Sequence, residues 1–200
     1  SKLKQRFGLK RVVLVGDRGM LTAARIADEL MPAGLDWLTA LRAPAIQKLV
    51  ADGPLQLALF DERDLAEIAS PDYPGERLIV CRNPALAEER ARKRGELLDA
   101  TEQELRRIQV RVRRARQPLR GADRIGLAVG AVLGRRKVAK HFRLAITDTG
   151  LSFERDLPAI AAEAALDGFY VLRTNLPAES LATADVVRAQ CRIKALYRSR

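Results

Sequence analysis

The sequence predicts an α/β fold, and three observations carry this prediction. Residues 12–16 form a short, fully apolar run that ends at a glycine, which is typical of a buried inner strand in a mixed or parallel sheet. Strand-like and helix-like segments alternate along the chain. Residues 85–119 repeat apolar side chains at spacings of three and four, which indicates a long helix. With 200 residues, the chain has room for one domain of ordinary size.

Before residue 85 the pattern predicts further strands and two helices. Thr22 is a suitable N-cap for a helix over about 23–31, which Pro32 ends. The remaining elements are strands at 35–41, 55–60 and 77–81 and a short helix at 45–51.

Residues 85–119 form the clearest predicted helix. A narrow stripe of seven side chains runs along it, the pattern of a helix that packs along another helix. Eleven lysines and arginines lie between residues 90 and 120, and they fit either a solvated face or a helix that contacts DNA phosphates. The stripe consists of Leu98, Thr101, Leu105, Ile108, Val112, Ala115 and Leu119.

After this helix, the glycines within residues 119–134 predict an irregular connection. The alternating segments 141–147 and 150–155 flank a turn with glycine and predict a β-hairpin. The last predicted elements are an alanine-rich helix at 157–165, a strand at 169–173 and a helix at 184–198.

The charge of the chain indicates a polyanionic partner. Lys and Arg number 36 against 25 Asp and Glu, a net charge of +11, which favours nucleic acid first and an acidic membrane second. No apolar run approaches the length of about eighteen residues that a membrane span needs. Two cysteines, Cys81 and Cys191, exclude a disulfide scaffold. With no signal peptide in view, we expect a reducing cytoplasm.

Asp17 is the first candidate functional residue. A carboxylate just past the carboxyl end of a buried strand lies where open α/β sheets bind ligands, and converging carboxylates there would suit Mg²⁺. Spacing alone leaves a second interpretation open, because aspartate in this position also forms turns or caps helices. The segment is not a P-loop, since it lacks the Gly-Lys-Ser/Thr ending.

Two other features of the sequence give weaker evidence for a functional site. Residues 126–134 are rich in glycine but lack the spacing and context of a dinucleotide-binding fingerprint. His141 is the single histidine, and no neighbouring Cys or Ser supports a triad or a zinc site. We therefore expect it to be a packed or surface histidine.

Four stretches, in order, carry a family resemblance. They are 13–20 (VLVGDRGM), 123–130 (DRIGLAVG), 137–142 (KVAKHF) and 161–175 (AAEAALDGFYVLRTN). Together they resemble bacterial insertion-sequence transposases with a ribonuclease-H-like DDE domain, in the branch related to insertion sequence four. The first stretch resembles the motif of the second catalytic carboxylate in that family.

This resemblance implies a fold and a chemistry. The fold would be a partial ribonuclease-H-like core over 1–32 and 151–200, with an inserted α+β segment over 33–150 that contains strands, the long helix 85–117 and the hairpin. In the family, two Asp and one Glu hold two divalent metals, Mg²⁺ or Mn²⁺, for DNA cleavage and strand transfer. Asp17 would be the second of these carboxylates, both catalytic and metal-ligating.

Two departures from the family pattern predict that the chain alone is inactive. The family's first Asp lies on an earlier strand, and the chain begins after it. Tyr197 stands where the family's Glu is expected, and a neutral phenol is a poor ligand for Mg²⁺. We expect a truncated fragment that does not transpose. Two alternatives stay open: a non-catalytic DNA-binding or dimerising remnant, and an α/β protein without a nucleic-acid partner.

DNA contacts are expected through basic clusters at 2–11, 135–143 and 188–200. Such contacts neutralise phosphates without reading sequence, so the affinity should fall steeply with salt. A homodimer is a further partner that the heptad helix allows. The candidate DNA-binding residues are Arg18, Arg135, Arg136, Lys137 and Lys140.

Overall fold

The computed structural model of the chain describes residues 6, 8–9, 11–17 and 19–198, with side chains up to Arg192. The fold is mixed α/β, as predicted, and the chain divides into two compact units. Unit 1 comprises Ser1–Asn83 and Phe169–Arg200, and unit 2 comprises Pro84–Gly168. The chain passes from one unit to the other after residues 83 and 168. The ribonuclease-H-like core and its boundaries at 32–33 and 150–151 stay a prediction.

A five-stranded mixed sheet forms the centre of unit 1. Its strand order is β1-β2-β7-β4-β3, in which β1 and β2 are parallel and the other neighbours are antiparallel. The strands are β1 (Val13–Val15), β2 (Asp36–Ala40), β3 (Leu65–Ile68), β4 (Arg77–Arg82) and β7 (Phe169–Thr174).

The prediction that residues 12–15 form an inner strand is wrong. In the described part of the chain, β1 is the outer strand of the sheet, with β2 on one side only. Val13 and Val15 are therefore half-buried, although their apolar run has the composition of a central strand.

Helices cover both faces of this sheet. The predicted helix after Thr22 is a short α-helical turn that continues as a π-helix, and the Thr22 hydroxyl accepts a hydrogen bond from the Arg25 N–H at 3.3 Å. Leu38 packs with Val186 on one face, while Trp37, its neighbour in β2, packs with Ile26 on the other. The helices are α1 (Ala23–Arg25, extended by Ile26–Leu30), α2 (Ala43–Ala51) and α6 (Thr183–Arg198).

The strand predicted at 55–60 is wrong, because residues Leu57–Phe60 form a 3₁₀-helix. Leu55 and Phe60 are both buried while Gln56, Ala58 and Leu59 are exposed, so the segment lacks the alternation of a strand. The true strand, β3, follows a few residues later and was not predicted.

Unit 2 contains the long helix, a second helix and the hairpin. The hairpin pairs its strands antiparallel from Phe142 opposite Arg155 to Ile146 opposite Leu151, as predicted. The elements are α3 (Pro84–Arg113), α4 (Ala122–Arg136), β5 (Phe142–Ile146), β6 (Leu151–Arg155) and α5 (Leu157–Ala164).

The predicted stripe of the long helix is the core of unit 2. Five of its members are buried and pack against α4 and the hairpin, so the expectation of helix-on-helix packing is confirmed. Ala115 lies beyond the end of α3 and is exposed. The buried members are Leu98, Thr101, Leu105, Ile108 and Val112.

The irregular connection predicted at 119–134 is wrong, because most of it is the helix α4. Its buried face consists of Ile125, Val129, Val132 and Leu133. Gly126, Gly130 and Gly134 recur every fourth residue within α4, so they share one helix face, and open space surrounds a Cβ built on any of them. The glycines therefore lower the helix propensity without interrupting the packing.

Candidate functional site

Asp17 is the first residue beyond the pairing of β1 with β2. The Gly16 N–H donates to the Leu38 carbonyl at 3.0 Å, so the parallel pairing extends one residue past β1. The Asp17 carbonyl then accepts the Met20 N–H at 2.8 Å and closes a turn. Asp17 is exposed, and it lies at the carboxyl end of a parallel strand pair, as the sequence predicts.

Two further contacts hold the turn that carries Asp17. The Thr39 hydroxyl of β2 donates to the Asp17 carbonyl at 3.4 Å. A Cβ built on Gly16 would lie 2.9 Å from Cγ of Leu21, so the close approach of Leu21 requires glycine at this position. The backbone of Asp17 is thus fixed by its neighbour strand and by local packing.

Positive groups share this edge of the sheet. Arg42 lies two residues beyond the end of β2, and its Nη2 lies 3.9 Å from the position that a Cβ on Gly19 would take. Helix α2 begins at the next residue, Ala43, so its partially positive end lies at the same edge. A phosphate near Asp17 would therefore meet a guanidinium group and a helix N-terminus.

The described donor groups do not fit a two-metal site around Asp17. In the part of the chain that the structure describes, no three His, Cys, Asp or Glu side chains gather closely enough to hold a metal ion. Glu29 is ion-paired with Arg25 at 3.4 Å. The side chain of Tyr197 lies outside the described residues.

Three of the predicted DNA-binding residues are ion-paired within unit 2. Arg135 and Arg136 both contact Glu104, at 3.4 Å and 2.6 Å, and the hydrogen bond from Arg136 holds the pKa of Glu104 below its usual range. Lys140 pairs with Glu163. Lys137 is exposed and ends α4 in the left-handed conformation, with φ at 57°.

Arg18 lies outside the described residues, and so do most of the basic cluster at 2–11 and the side chains of 193–200 in the cluster at 188–200. Their DNA contacts stay predictions.

His141 is a packed histidine, only 2% exposed. Its Nε2 lies 3.0 Å from Oε2 of Glu163, while its Nδ1 is buried without a hydrogen-bond partner in the described part of the chain. Burial raises the pKa of Glu163, but the interactions with Lys140 and His141 lower it by more than burial raises it. The pKa of Glu163 is therefore below the usual glutamate range. The contact between His141 and Glu163 joins α5 to the residue just before β5.

The sequence interpretation did not single out the acid-free stretch that contains the most basic residues. Residues 105–120 contain seven arginines and no acidic residue, and they form the end of α3 and the connection to α4. We call this segment the arginine tip. The run of arginines is visible in the sequence. Within the longer stretch 90–120, however, acidic residues before position 105 offset part of the charge.

No protein-family model, curated protein or solved structure matches the chain. Among the described residues, no helix is both long and apolar enough to cross a membrane.

Proposed function

We propose that the chain is a DNA-acting protein of the DDE transposase type, which binds DNA phosphates and provides Asp17 as one carboxylate of a phosphodiester-processing site. The observation that carries the proposal is the position of Asp17, exposed and first beyond the parallel pair of β1 and β2. The net charge of +11 supports a nucleic-acid partner.

At this edge of the sheet, carboxylates would bind the metal, and positive groups would bind a DNA phosphate. Mg²⁺ or Mn²⁺ held by several carboxylates would supply activation of the attacking oxygen. Arg42 and the start of α2 are placed to bind a phosphate oxygen and orient a DNA strand beside Asp17. Since the described carboxylates do not complete a metal site, we infer that this chain binds DNA without cutting it.

The proposal is tested by mapping where DNA lies on the protein. An Asp17→Cys variant, combined with Cys191→Ser to remove the exposed thiol, is labelled with an iron–EDTA reagent and bound to a duplex. The label produces hydroxyl radicals that break DNA only within reach of the attached iron. We expect localised strand breaks in the bound duplex.

A Ser180→Cys variant, labelled in the same Cys191→Ser background, is the matched control. Ser180 is exposed and follows β7, whose carboxyl end lies at the edge of the sheet opposite Asp17. This label should give few breaks. Equal cleavage from both labels, or cleavage from the label at residue 180 alone, would place the DNA elsewhere and overturn the role of Asp17.

The absence of cutting has its own test. Supercoiled plasmid is incubated with the chain and Mg²⁺ or Mn²⁺, and conversion to nicked circles is measured for the wild type and for Asp17→Ala. We expect no conversion with either. Nicking that is lost in Asp17→Ala would show that another carboxylate completes the site.

A non-catalytic DNA-binding remnant is the second candidate. It is favoured by the observation that no described group of carboxylates forms around Asp17. It predicts DNA binding with no preferred cleavage from the label at residue 17. A dimerising role through the heptad stripe gains no support, because that stripe is buried against α4 and the hairpin of the same unit.

A further inference from the structure

We infer that the arginine tip, residues 105–120, is the main surface on which the chain docks the phosphate backbone of duplex DNA. This inference rests on the proposed function for the identity of the partner. It narrows the stretch 90–120, for which the sequence leaves DNA contact open, to its last part. It also differs from the predicted basic clusters, of which the described residues lie mostly at 135–143.

The charge of unit 2 is concentrated at this tip. The unit holds 18 basic and 12 acidic side chains, a net charge of +6, and seven of the basic side chains are the arginines of the tip. The rest of unit 2 is therefore close to neutral. A polyanion approaching this unit meets its attractive potential almost entirely at the tip.

Ion pairing distinguishes several arginines of the tip from most of the basic positions at 135–143. Arg111, Arg113 and Arg116 make no ion pair with any described residue and are exposed, and Arg107 is exposed with only an electrostatic interaction with Glu104. By contrast, Arg135, Arg136 and Lys140 have carboxylate partners. A phosphate that binds an unpaired arginine displaces only water and counterions, whereas one that binds a paired arginine must compete with a carboxylate.

Helical spacing arranges the tip as a continuous surface. Arg107, Arg111 and Arg114 stand four and three residues apart, so they form one row along α3 and its last turn. Arg106 and Arg113 form the neighbouring row, with Val110, 67% exposed, between them. The two rows present several guanidinium groups on one side of the helix, where they can contact successive phosphates of a DNA backbone.

The connection at the end of the tip is held in place by hydrogen bonds. The Leu119 N–H donates to the Arg111 carbonyl at 3.0 Å, and Arg114 Nε donates to the Gln117 carbonyl at 2.7 Å. Arg120 Nη1 donates to the Thr149 carbonyl of the hairpin turn at 2.9 Å. These contacts reduce the entropy that is lost when the arginines are ordered on a ligand.

The chemistry of the tip favours duplex DNA over other polyanions. A membrane-surface helix combines basic residues with Trp, Phe or Leu on a second, exposed face. Single-stranded nucleic acids are bound with aromatic side chains that stack on bases. The tip contains no aromatic residue, and its leucines, Leu105 and Leu119, are buried or half-buried. Guanidinium groups alone suit phosphate contacts along a duplex.

The test compares two triple variants that remove the same charge from unit 2. The tip variant is Arg107→Gln, Arg111→Gln and Arg113→Gln, and glutamine preserves helix propensity. The control is Arg92→Gln, Lys93→Gln and Arg135→Gln, all exposed and ion-paired positions of the same unit. Circular dichroism and thermal unfolding confirm that both variants fold, and duplex binding is measured by fluorescence anisotropy between about 50 and 200 mM salt.

We expect the tip variant to lower the slope of log affinity against log salt by about 2 to 3, because each lost phosphate contact removes about 0.9. The control should change the slope by less than about 1. Equal effects of the two variants, with the wild type still bound to DNA, would overturn the docking surface and leave the proposed function standing.

Two other outcomes also count against the inference. A wild type that binds no duplex at low salt would overturn the tip and the DNA partner together. Anisotropy or sedimentation with vesicles of phosphatidylserine and phosphatidylcholine tests the membrane alternative. A tip variant that loses vesicle binding while it keeps its DNA affinity would assign the tip to a membrane surface.

Discussion

The guanidinium group of Arg173, in β7, forms a two-pronged ion pair with Glu76, the residue just before β4. Nε of Arg173 lies 2.6 Å from Oε2 of Glu76, a second contact joins Nη2 to Oε1, and both side chains are 10% exposed. Nε1 of Trp37 donates to the same carboxylate at 3.3 Å. The Arg173 guanidinium also lies 4.9 Å from the ring centre of Tyr73. One carboxylate thus joins β2, β7 and the entry to β4.

Removal of this carboxylate should destabilise the chain strongly. Glu76→Ala leaves a buried guanidinium without its counter-charge, and breaking a buried pair in this way costs about 3–5 kcal/mol. The matched control is Glu96→Ala, which breaks the exposed pair with Arg92 and should cost less than about 1 kcal/mol. Urea unfolding monitored by circular dichroism measures both, and similar losses would contradict the account of the buried pair.

The glycines of α4 should be replaceable with a gain in stability. Gly126→Ala, Gly130→Ala and Gly134→Ala place a Cβ in open space, and each exchange within a helix is worth about 0.5–1 kcal/mol. Gly16→Ala is the opposite case, because its Cβ would approach Leu21 to 2.9 Å. A thermal melt that shows destabilisation by the three helix variants would mean that these glycines have a contact partner.

Local pattern predicted the elements whose burial follows one regular period. The long helix, the hairpin and the strand at 169–173 have such patterns, and the structure confirms them. The predictions of a strand at 55–60 and of an irregular connection at 119–134 are wrong because composition and spacing disagree in these segments. The buried Leu55 and Phe60 do not follow the alternation of a strand, and glycines on the free face of a helix do not end it. The outer position of β1 depends on strand order, which no local pattern contains.

Gln190 is a buried polar side chain whose replacement should stabilise unit 1. It is 1% exposed in α6, and neither Nε2 nor Oε1 has a hydrogen-bond partner among the side chains that the structure describes. Gln190→Leu removes this unmet desolvation and should gain about 1–3 kcal/mol. Gln109→Leu is the control, because Gln109 Nε2 donates to the Leu151 carbonyl at 2.9 Å, and its loss should cost about 1 kcal/mol. Loss of stability in Gln190→Leu would contradict the assignment.

Asp156 should make stability depend on acid pH. A hydrogen bond from Arg143 lowers its pKa, and the Ala159 N–H that it caps lowers it further. An unfolded aspartate titrates near about pH 3.9, so the contribution of Asp156 is complete above that pH and is lost as the pH falls through the lower folded pKa.

The comparison of wild type with Asp156→Asn isolates this charge, because asparagine keeps the capping oxygen. The wild type should melt at a higher temperature at pH 7, and the difference should shrink as the pH falls below the unfolded value of about 3.9 and through the lower folded pKa. A difference that is constant over this range would show that the ion pair has no part in it.

The sequence predicts the position of Asp17 at the end of a strand, but it does not predict which residues surround Asp17. The apolar run before Asp17 was enough to place it at the carboxyl end of a strand. Its neighbours Thr39 and Arg42 come from β2 and the start of α2, and only the parallel pairing brings them to it. The acids that neutralise Arg135 and Lys140 are likewise distant in sequence, so charge counts alone did not predict these ion pairs.

The salt dependence of duplex binding by the unmodified chain tests the central claim most directly. Fluorescence anisotropy with a labelled duplex, in EDTA to remove divalent metals, gives the affinity across a salt series. The account predicts clear binding at about 50 mM salt and a loss of at least about tenfold by 200 mM, as two or more phosphate contacts require. No binding at the lowest salt, or an affinity that salt leaves unchanged, would contradict a DNA-acting protein.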